Sequence, residues 1–206
     1  MSPPEAPLIL IVDDDEAMRR SMAFLLASVG LQAQCHADAA EFLAACPPGP
    51  YQRPGALILD VRMPGMSGLE LQRRLNDSGF ALPILIVTGH GDVPMAVQAL
   101  KAGAFDFIEK PFKEQYLLDA VAAAIHHSHD TLARRTRQRS IAERLARLGR
   151  REREVLDGIL AGKLNKVIAF ELDLSVKTVE AYRASIMHKM QAGSLAELAL
   201  LVAEGG

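Results

Sequence analysis

Acids stand directly after two short apolar runs in this chain. Leu8-Ile9-Leu10-Ile11-Val12 empties into Asp13-Asp14-Asp15, and Ala56-Leu57-Ile58-Leu59 empties into Asp60. A carboxylate held beside an apolar core loses its hydration, so several at one place imply a bound divalent cation or a chemical task. Two later runs end in other polar groups: Ile84 to Val87 in the hydroxyl of Thr88, and Phe105 to Ile108 in Glu109-Lys110-Pro111. The hard oxygens of Asp13, Asp14 and Asp60 suit Mg2+, which keeps several waters and prefers to be shared with a phosphate. Asp60 is then the candidate nucleophile. A carboxylate can attack phosphorus to form an acyl phosphate, while Mg2+ and the Lys110 ammonium offset the charge on the phosphoryl oxygens and Thr88 hydrogen-bonds the new group.

Each of these residues also has a plainer reading. Asp15 favours a helix N-terminus and needs no metal there. Lys110 can be a surface lysine beside Pro111, and Thr88 a strand-favouring residue that caps a loop. Strand periodicity alone puts Phe107 in the core. What favours chemistry is the joint pattern, since ligands of an open parallel sheet bind outside the carboxyl ends of its strands.

The elements that would position these groups alternate. Met18, Met22, Leu25, Leu26 and Val29 share one helical face before Gly30, and a weaker strand follows around Leu31 to Cys35. Asp38 to Glu41 reads as a capping box opening a second helix, which Pro47-Pro48-Gly49-Pro50 closes. Ser67 to Glu70 reads as another, opening a helix to about Leu75. After Thr88 come a flexible Gly89-His90-Gly91 and a helix capped by Asp92, with Pro94 in its first turn. Leu117, Val121 and Ile125 mark a last helix. Behind a frayed Met1-Ser2-Pro3-Pro4, five strand-helix units imply a doubly wound α/β domain with a parallel sheet, complete by about His127.

Charge divides the 206 residues in the same place. Met1 to His127 carries 15 acidic and 9 basic side chains, whereas Ser128 to Gly206 carries 10 acidic and 14 basic. An acidic front half suits a cation-binding module and a basic rear half one that meets a polyanion. Cys35 and Cys46 lie in no CxxC or His-bearing metal pattern, no leader precedes the first strand, and no apolar run approaches the roughly 20 residues of a spanning helix. These features predict reduced thiols, a cytoplasmic location and no membrane insertion.

Residues 128–147 form a basic stretch without Gly or Pro, read as a mostly helical linker that is either a solvated charged helix or a partner-contacting one. Residues 148–206 then hold four short helical patterns and no strand. Asn165 to Met190 reads as a scaffold helix, a turn at Asp173-Leu174-Ser175 and a second helix capped by Ser175. Val179, Tyr182, Ile186 and Met190 would face inward. Lys177, Ala181, Ala184 and His188 would face out, flanked by Thr178, Glu180 and Ser185, small and polar enough to approach a major groove. Composition alone leaves DNA binding and a helical protein-binding or dimerisation module equally open.

Val12-Asp13-Asp14, Asp60-Val61-Arg62-Met63-Pro64-Gly65, Val87-Thr88-Gly89 and Glu109-Lys110-Pro111-Phe112 resemble the receiver domain of two-component response regulators over Pro7 to His127. The resemblance implies a flavodoxin-like fold with Asp60 as phosphoacceptor. It implies Mg2+ held by Asp13, Asp14, Asp60 and the Arg62 backbone carbonyl, with Lys110 and Thr88 reading the phosphoryl group and Phe107 as the switch aromatic. Arg151 to Leu156, Asn165 to Ala169 and Ser175 to Glu180 resemble the LuxR-type helix-turn-helix over Leu148 to Ala203. That likeness implies that Asn165, Lys166 and Lys177 position phosphates and that Glu180, Ala181 and Ala184 face bases. Gly149 departs from the usual Ser or Thr cap. Glu180 departs from a frequent basic residue, and can accept a hydrogen bond from cytosine instead. Thr88 to Pro94, Lys189 to Ala192 and Ser194-Leu195 resemble the FixJ-type subgroup.

The implied function is a transcription factor phosphorylated on Asp60 by a sensor histidine kinase. Phosphorylation would draw Thr88 and Phe107 inward and repack the fourth helix and fifth strand to favour a homodimer on promoter DNA, with RNA polymerase as the eventual partner. A haloacid-dehalogenase-type phosphohydrolase also uses an aspartyl nucleophile, but its Thr-bearing flap and later acidic pair have no counterpart here. A DNA binder with a vestigial receiver would be indifferent to Asp60→Asn.

Overall fold

The computed structural model describes residues 6–46, 51, 53–89 and 92–205. The frayed start at Met1 to Pro4, the Pro47 to Pro50 loop and the His90-Gly91 part of the flexible turn lie outside the described residues. The first unit runs β1 (Leu8–Val12), α1 (Glu16–Ser28), β2 (Ala33–His36), α2 (Ala39–Ala45), β3 (Gly55–Leu59), α3 (Gly68–Asp77), β4 (Ile84–Thr88), α4 (Val93–Lys101), β5 (Asp106–Glu109) and α5 (Glu114–Ala146).

The five strands form one all-parallel sheet in the order β2-β1-β3-β4-β5. Every residue of β1, β3 and β4 is buried, which is why these strands read as continuous apolar runs. Alternation splits them between two cores. Leu8, Leu10, Val12, Leu57, Leu59 and Ile86 pack with Phe42 of α2, Leu71 and Leu75 of α3 and Ala99 of α4. Ile9, Ile11, Ile58, Leu85 and Val87 pack with Met22 and Leu26 of α1 and Leu117 and Val121 of α5. Strand order reverses between β1 and β3, so the crevice at their carboxyl ends is the topological switch point, and Asp13 and Asp60 follow those two strands.

Asp15 caps α1 by accepting from the N–H groups of Ala17 and Met18. The two expected capping boxes are only half as drawn. Asp38 accepts from Ala40 and Glu41 as a cap should, but Glu41 reaches past it to the Ala37 N–H. Ser67 accepts from Glu70 N–H, while the Glu70 carboxylate pairs with Arg74 one turn on, 3.2 Å away. A local i, i+4 cation competes with the cap's own N–H and wins.

α5 runs on past His127 through the basic stretch to Ala146 as one helix. The chain divides within it into two compact units, one ending at Leu132 and one beginning at Ala133. In the second unit Ile141 and Leu145 of α5 join α6 (Arg150–Leu160), α7 (Asn165–Glu171), α8 (Val176–Met190) and α9 (Leu195–Gly205) around Val155, Ile168, Val179, Ile186, Met190 and Leu198. α7 and α8 are joined through Asp173, in the left-handed region at φ 54°. Among the described residues no helix is long and apolar enough to cross a membrane.

Candidate functional site

Backbone pairing brings four strand ends together. Asp60 N–H donates to Val12 O, and Lys110 N–H donates to Thr88 O, each at 2.8 Å. Gly68, at the start of α3, presses against this turn. Its N–H donates to Val61 O, and a Cβ there would lie 2.0 Å from the Asp60 carbonyl oxygen, so only glycine lets α3 approach so closely. The Lys110–Pro111 peptide is cis.

Asp13 and Asp60 are both buried, and Lys110 bridges them: Nζ lies 2.6 Å from Asp13 Oδ2 and 3.3 Å from Asp60 Oδ1. The remaining oxygens take main-chain donors, Asp13 Oδ1 from Asp15 N–H at 2.9 Å and Asp60 Oδ2 from Arg62 N–H at 3.0 Å. Arg19 fixes the Asp13 peptide by donating to its carbonyl oxygen. Burial pushes the Asp60 pKa up; Lys110 opposes this and the Asp13 charge adds to it. Burial alone would lower the Lys110 pKa, but hydrogen bonding and charge from Asp13, then from Asp60, outweigh it and hold the amine above its usual value. Two buried carboxylates thus share one ammonium.

Asp14 is exposed, and among the described residues no three acid, imidazole or thiol side chains close on one point. The donor set still fits a hard divalent cation: two buried carboxylates with one balancing charge leave an excess of negative charge beside an acid at the surface. Thr88 is fully buried at the end of β4. Phe107 is half-buried in β5 and packs against the core shared by α2, α3 and α4. Next to it α4 exposes Val93, Val97 and Leu100.

In the second unit Val179, Ile186 and Met190 are fully buried and Tyr182 is half-buried. Lys177, Glu180, Ala181, Ala184 and His188 are exposed, as is Lys166 at the start of α7, where Asn165 is half-buried. Two of the outward candidates are engaged inside the unit. The Thr178 hydroxyl lies 2.7 Å from that of Ser175, which caps α8, and the Ser185 hydroxyl donates to Glu152 at 2.6 Å. Glu152, not singled out in the sequence, is the hub here. Its Oε2 accepts from Lys189 Nζ at 2.6 Å and from Gly149 N–H at 2.7 Å, so Gly149 offers its N–H where a Ser or Thr would cap with a side chain. Hydrogen bonds from Lys189, Ser185 and Gly149 hold the Glu152 pKa down at about 2. The readable signal was the four-residue spacing of Ser185 and Lys189 beside inward-facing Ile186.

Residues 9–122 match the response regulator receiver domain, and residues 146–202 match the bacterial regulatory proteins of the luxR family. The transcriptional regulatory protein FixJ of Azorhizobium caulinodans is 46% identical over 195 residues, covering 95% of this chain and 91% of that one. The chain is a response regulator of the FixJ type. The response regulator protein TodT of Pseudomonas putida is 43% identical over 198 residues, covering 94% of this chain and 84% of its own length. The solved response regulator StyR is 40% identical, with a TM-score of 0.88 over 97% of this chain and all of its own. The regulator is therefore a phosphorylation-dependent transcriptional regulator whose two domains imply a kinase partner and DNA.

Proposed function

We propose that Asp60 is the phosphoacceptor and that its phosphorylation by a sensor histidine kinase drives dimerisation and promoter binding. The observation that carries this is Lys110 bridging the buried Asp13 and Asp60 at the topological switch point. An Asp60 carboxylate oxygen bonds to phosphorus as the donor's N–P bond breaks and the imidazole departs, leaving an acyl phosphate. The Lys110 ammonium neutralises the incoming oxygens, and Thr88, one strand over, donates its hydroxyl to them. Asp13, Asp14, Asp60 and the Arg62 carbonyl would hold Mg2+, which supplies charge neutralisation at the phosphoryl group. Self-phosphorylation from small donors and self-dephosphorylation belong to the same pocket.

Phe107 is the switch aromatic in this reading, following Thr88 inward. The exposed Val93, Val97 and Leu100 of α4 support a dimer face at α4 and β5. We assign residues 1–127 to the receiver, 128–147 to a helical linker and 148–206 to the DNA-binding domain, working in the cytoplasm. Asn165, Lys166 and Lys177 grip phosphates. Glu180, Ala181, Ala184 and His188 face the groove, with Thr178 and Ser185 at its edge, and RNA polymerase is the downstream partner.

The test compares wild type with Asp60→Asn, each with Mg2+ and a small-molecule phosphodonor, for added phosphoryl mass, dimerisation and promoter binding. Responses in wild type alone are expected. Equal responses in both would overturn the reading.

A further inference from the structure

Arginines crowd the junction of α5 and α6, and nearly all are spoken for. Arg137 pairs with Glu204, Arg139 with Glu143, and Arg150 and Arg151 with Glu154, while Arg144 and Arg153 donate to main-chain carbonyls. Between Arg137 and Arg153, Arg147 is the one arginine among the described residues whose guanidinium has no partner, and it is exposed. Its backbone is nonetheless fixed, because its N–H donates to Arg144 O and its carbonyl oxygen accepts from Lys189 Nζ at 3.5 Å.

The unpaired guanidinium borders a hollow of about 590 Å³ lined by Arg147, Met187, His188, Lys189 and the turn Gln191 to Gly193. Gln191 takes the left-handed conformation at φ 55° and ends α8. The nearby acids do not neutralise Arg147. Glu152 is held by Lys189 and Ser185, and Glu197 accepts the Gly193 N–H. His188 continues the exposed row of Lys177, Ala181 and Ala184, so the hollow opens at the far end of the face assigned to the groove.

We propose that Arg147, from outside the helix-turn-helix, joins His188 at the end of α8 and Gln191 just beyond it in a socket for a backbone phosphate of duplex DNA. A guanidinium fork matches two phosphate oxygens, and an imidazole and a side-chain amide can complete the donors. Such a contact carries no base information. It fixes where the C-terminal end of α8 rests on the strand and so sets the tilt of the helix in the groove. The proposal rests on the DNA-binding reading of α8.

The test uses the full chain treated with Mg2+ and acetyl phosphate, titrated by fluorescence anisotropy onto a promoter duplex and a random-sequence duplex across a KCl series. Arg147→Ala should weaken both duplexes alike and reduce the slope of log affinity against log salt by about one phosphate contact. Arg135→Ala, an exposed arginine of α5 outside the hollow, should leave the slope unchanged. Thermal melting of each variant separates a folding defect from a lost contact. Wild-type binding with the same slope in Arg147→Ala overturns the socket while leaving the DNA reading intact, whereas no duplex binding by wild type at any salt overturns both. If Arg147→Ala alters inorganic phosphate binding but not the DNA slope, the hollow serves a free anion and the proposal fails.

Discussion

The Lys110 ammonium stands 2.6 Å from the Asp13 carboxylate, nearer than to Asp60 at 3.3 Å. The stronger pair in the pocket therefore excludes the candidate nucleophile, and Asp60 is left with the weaker share of one positive charge. Burial raises its pKa first; Lys110 offsets only part of that, and the Asp13 charge adds to it.

Asp60→Asn should therefore stabilise the fold at neutral pH. A carboxyl whose folded pKa is raised favours the folded state while protonated, and loses that advantage as pH rises through the folded value. At neutral pH wild type carries the desolvation cost that raises the Asp60 pKa, and the isosteric amide does not. The expected gain is about 1 kcal/mol, at the low end for neutralising a buried charge because water at the pocket mouth screens it. The gap should narrow below pH of about 4, where Asp60 is protonated in both states. Urea denaturation at the two pH values measures it; a less stable amide at pH 7 would contradict the charge count.

Lys110→Ala leaves two buried carboxylates facing each other. It should cost about 3 kcal/mol, because the orphaned charges keep their desolvation penalty without a counter-ion. Adding Asp13→Asn to Lys110→Ala should restore part of the loss, although it removes a second native side chain. A double variant no more stable than Lys110→Ala would show that lost packing, not charge, governs the site.

The strand ends were legible because each is local: an apolar run and the polar residue that follows it. Which acid Lys110 prefers was not, since Lys110 and Asp13 are 97 positions apart and meet only through sheet register. The caps Asp38 and Ser67 were readable as turn-forming residues, whereas the return halves of their boxes were decided by neighbours, Ala37 N–H for Glu41 and Arg74 for Glu70. The continuity of α5 followed from a stretch free of Gly and Pro, but the sequence has no mark for the point inside one helix where packing partners change.

Two glycines separate fold stability from pocket chemistry. A Cβ on Gly55 would lie 2.0 Å from Leu8 O, and one on Gly68 equally close to Asp60 O; both are backbone atoms that cannot rotate away. Each alanine variant should lose about 2 kcal/mol through the forced shift. Only Gly68→Ala displaces the turn carrying Asp60, so it alone should also slow phosphorylation by a small-molecule donor, followed as phosphoryl mass over time. Equal slowing in Gly55→Ala would assign the defect to general loosening of the sheet.

Glu152 gives the second unit its own acid sensitivity. Its folded pKa of about 2 lies below the value near 4.3 of an unfolded glutamate, so its contribution is complete above the unfolded value. The contribution is lost as pH falls through that window toward 2. Glu152→Gln removes the charge that holds Lys189 and weakens the bond to Ser185, which together tie α6 to α8. At pH 7 it should cost about 2 kcal/mol, in the range for hydrogen bonds to a charged group, and should loosen α8, raising amide hydrogen exchange there. Between pH of about 4.5 and 2 the stability of wild type should fall more steeply than that of the amide variant, so the two curves converge. Parallel curves would mean that the carboxylate is not the group whose protonation releases the helix, and exchange confined to α6 would mean that Lys189 and Ser185 hold α8 without it.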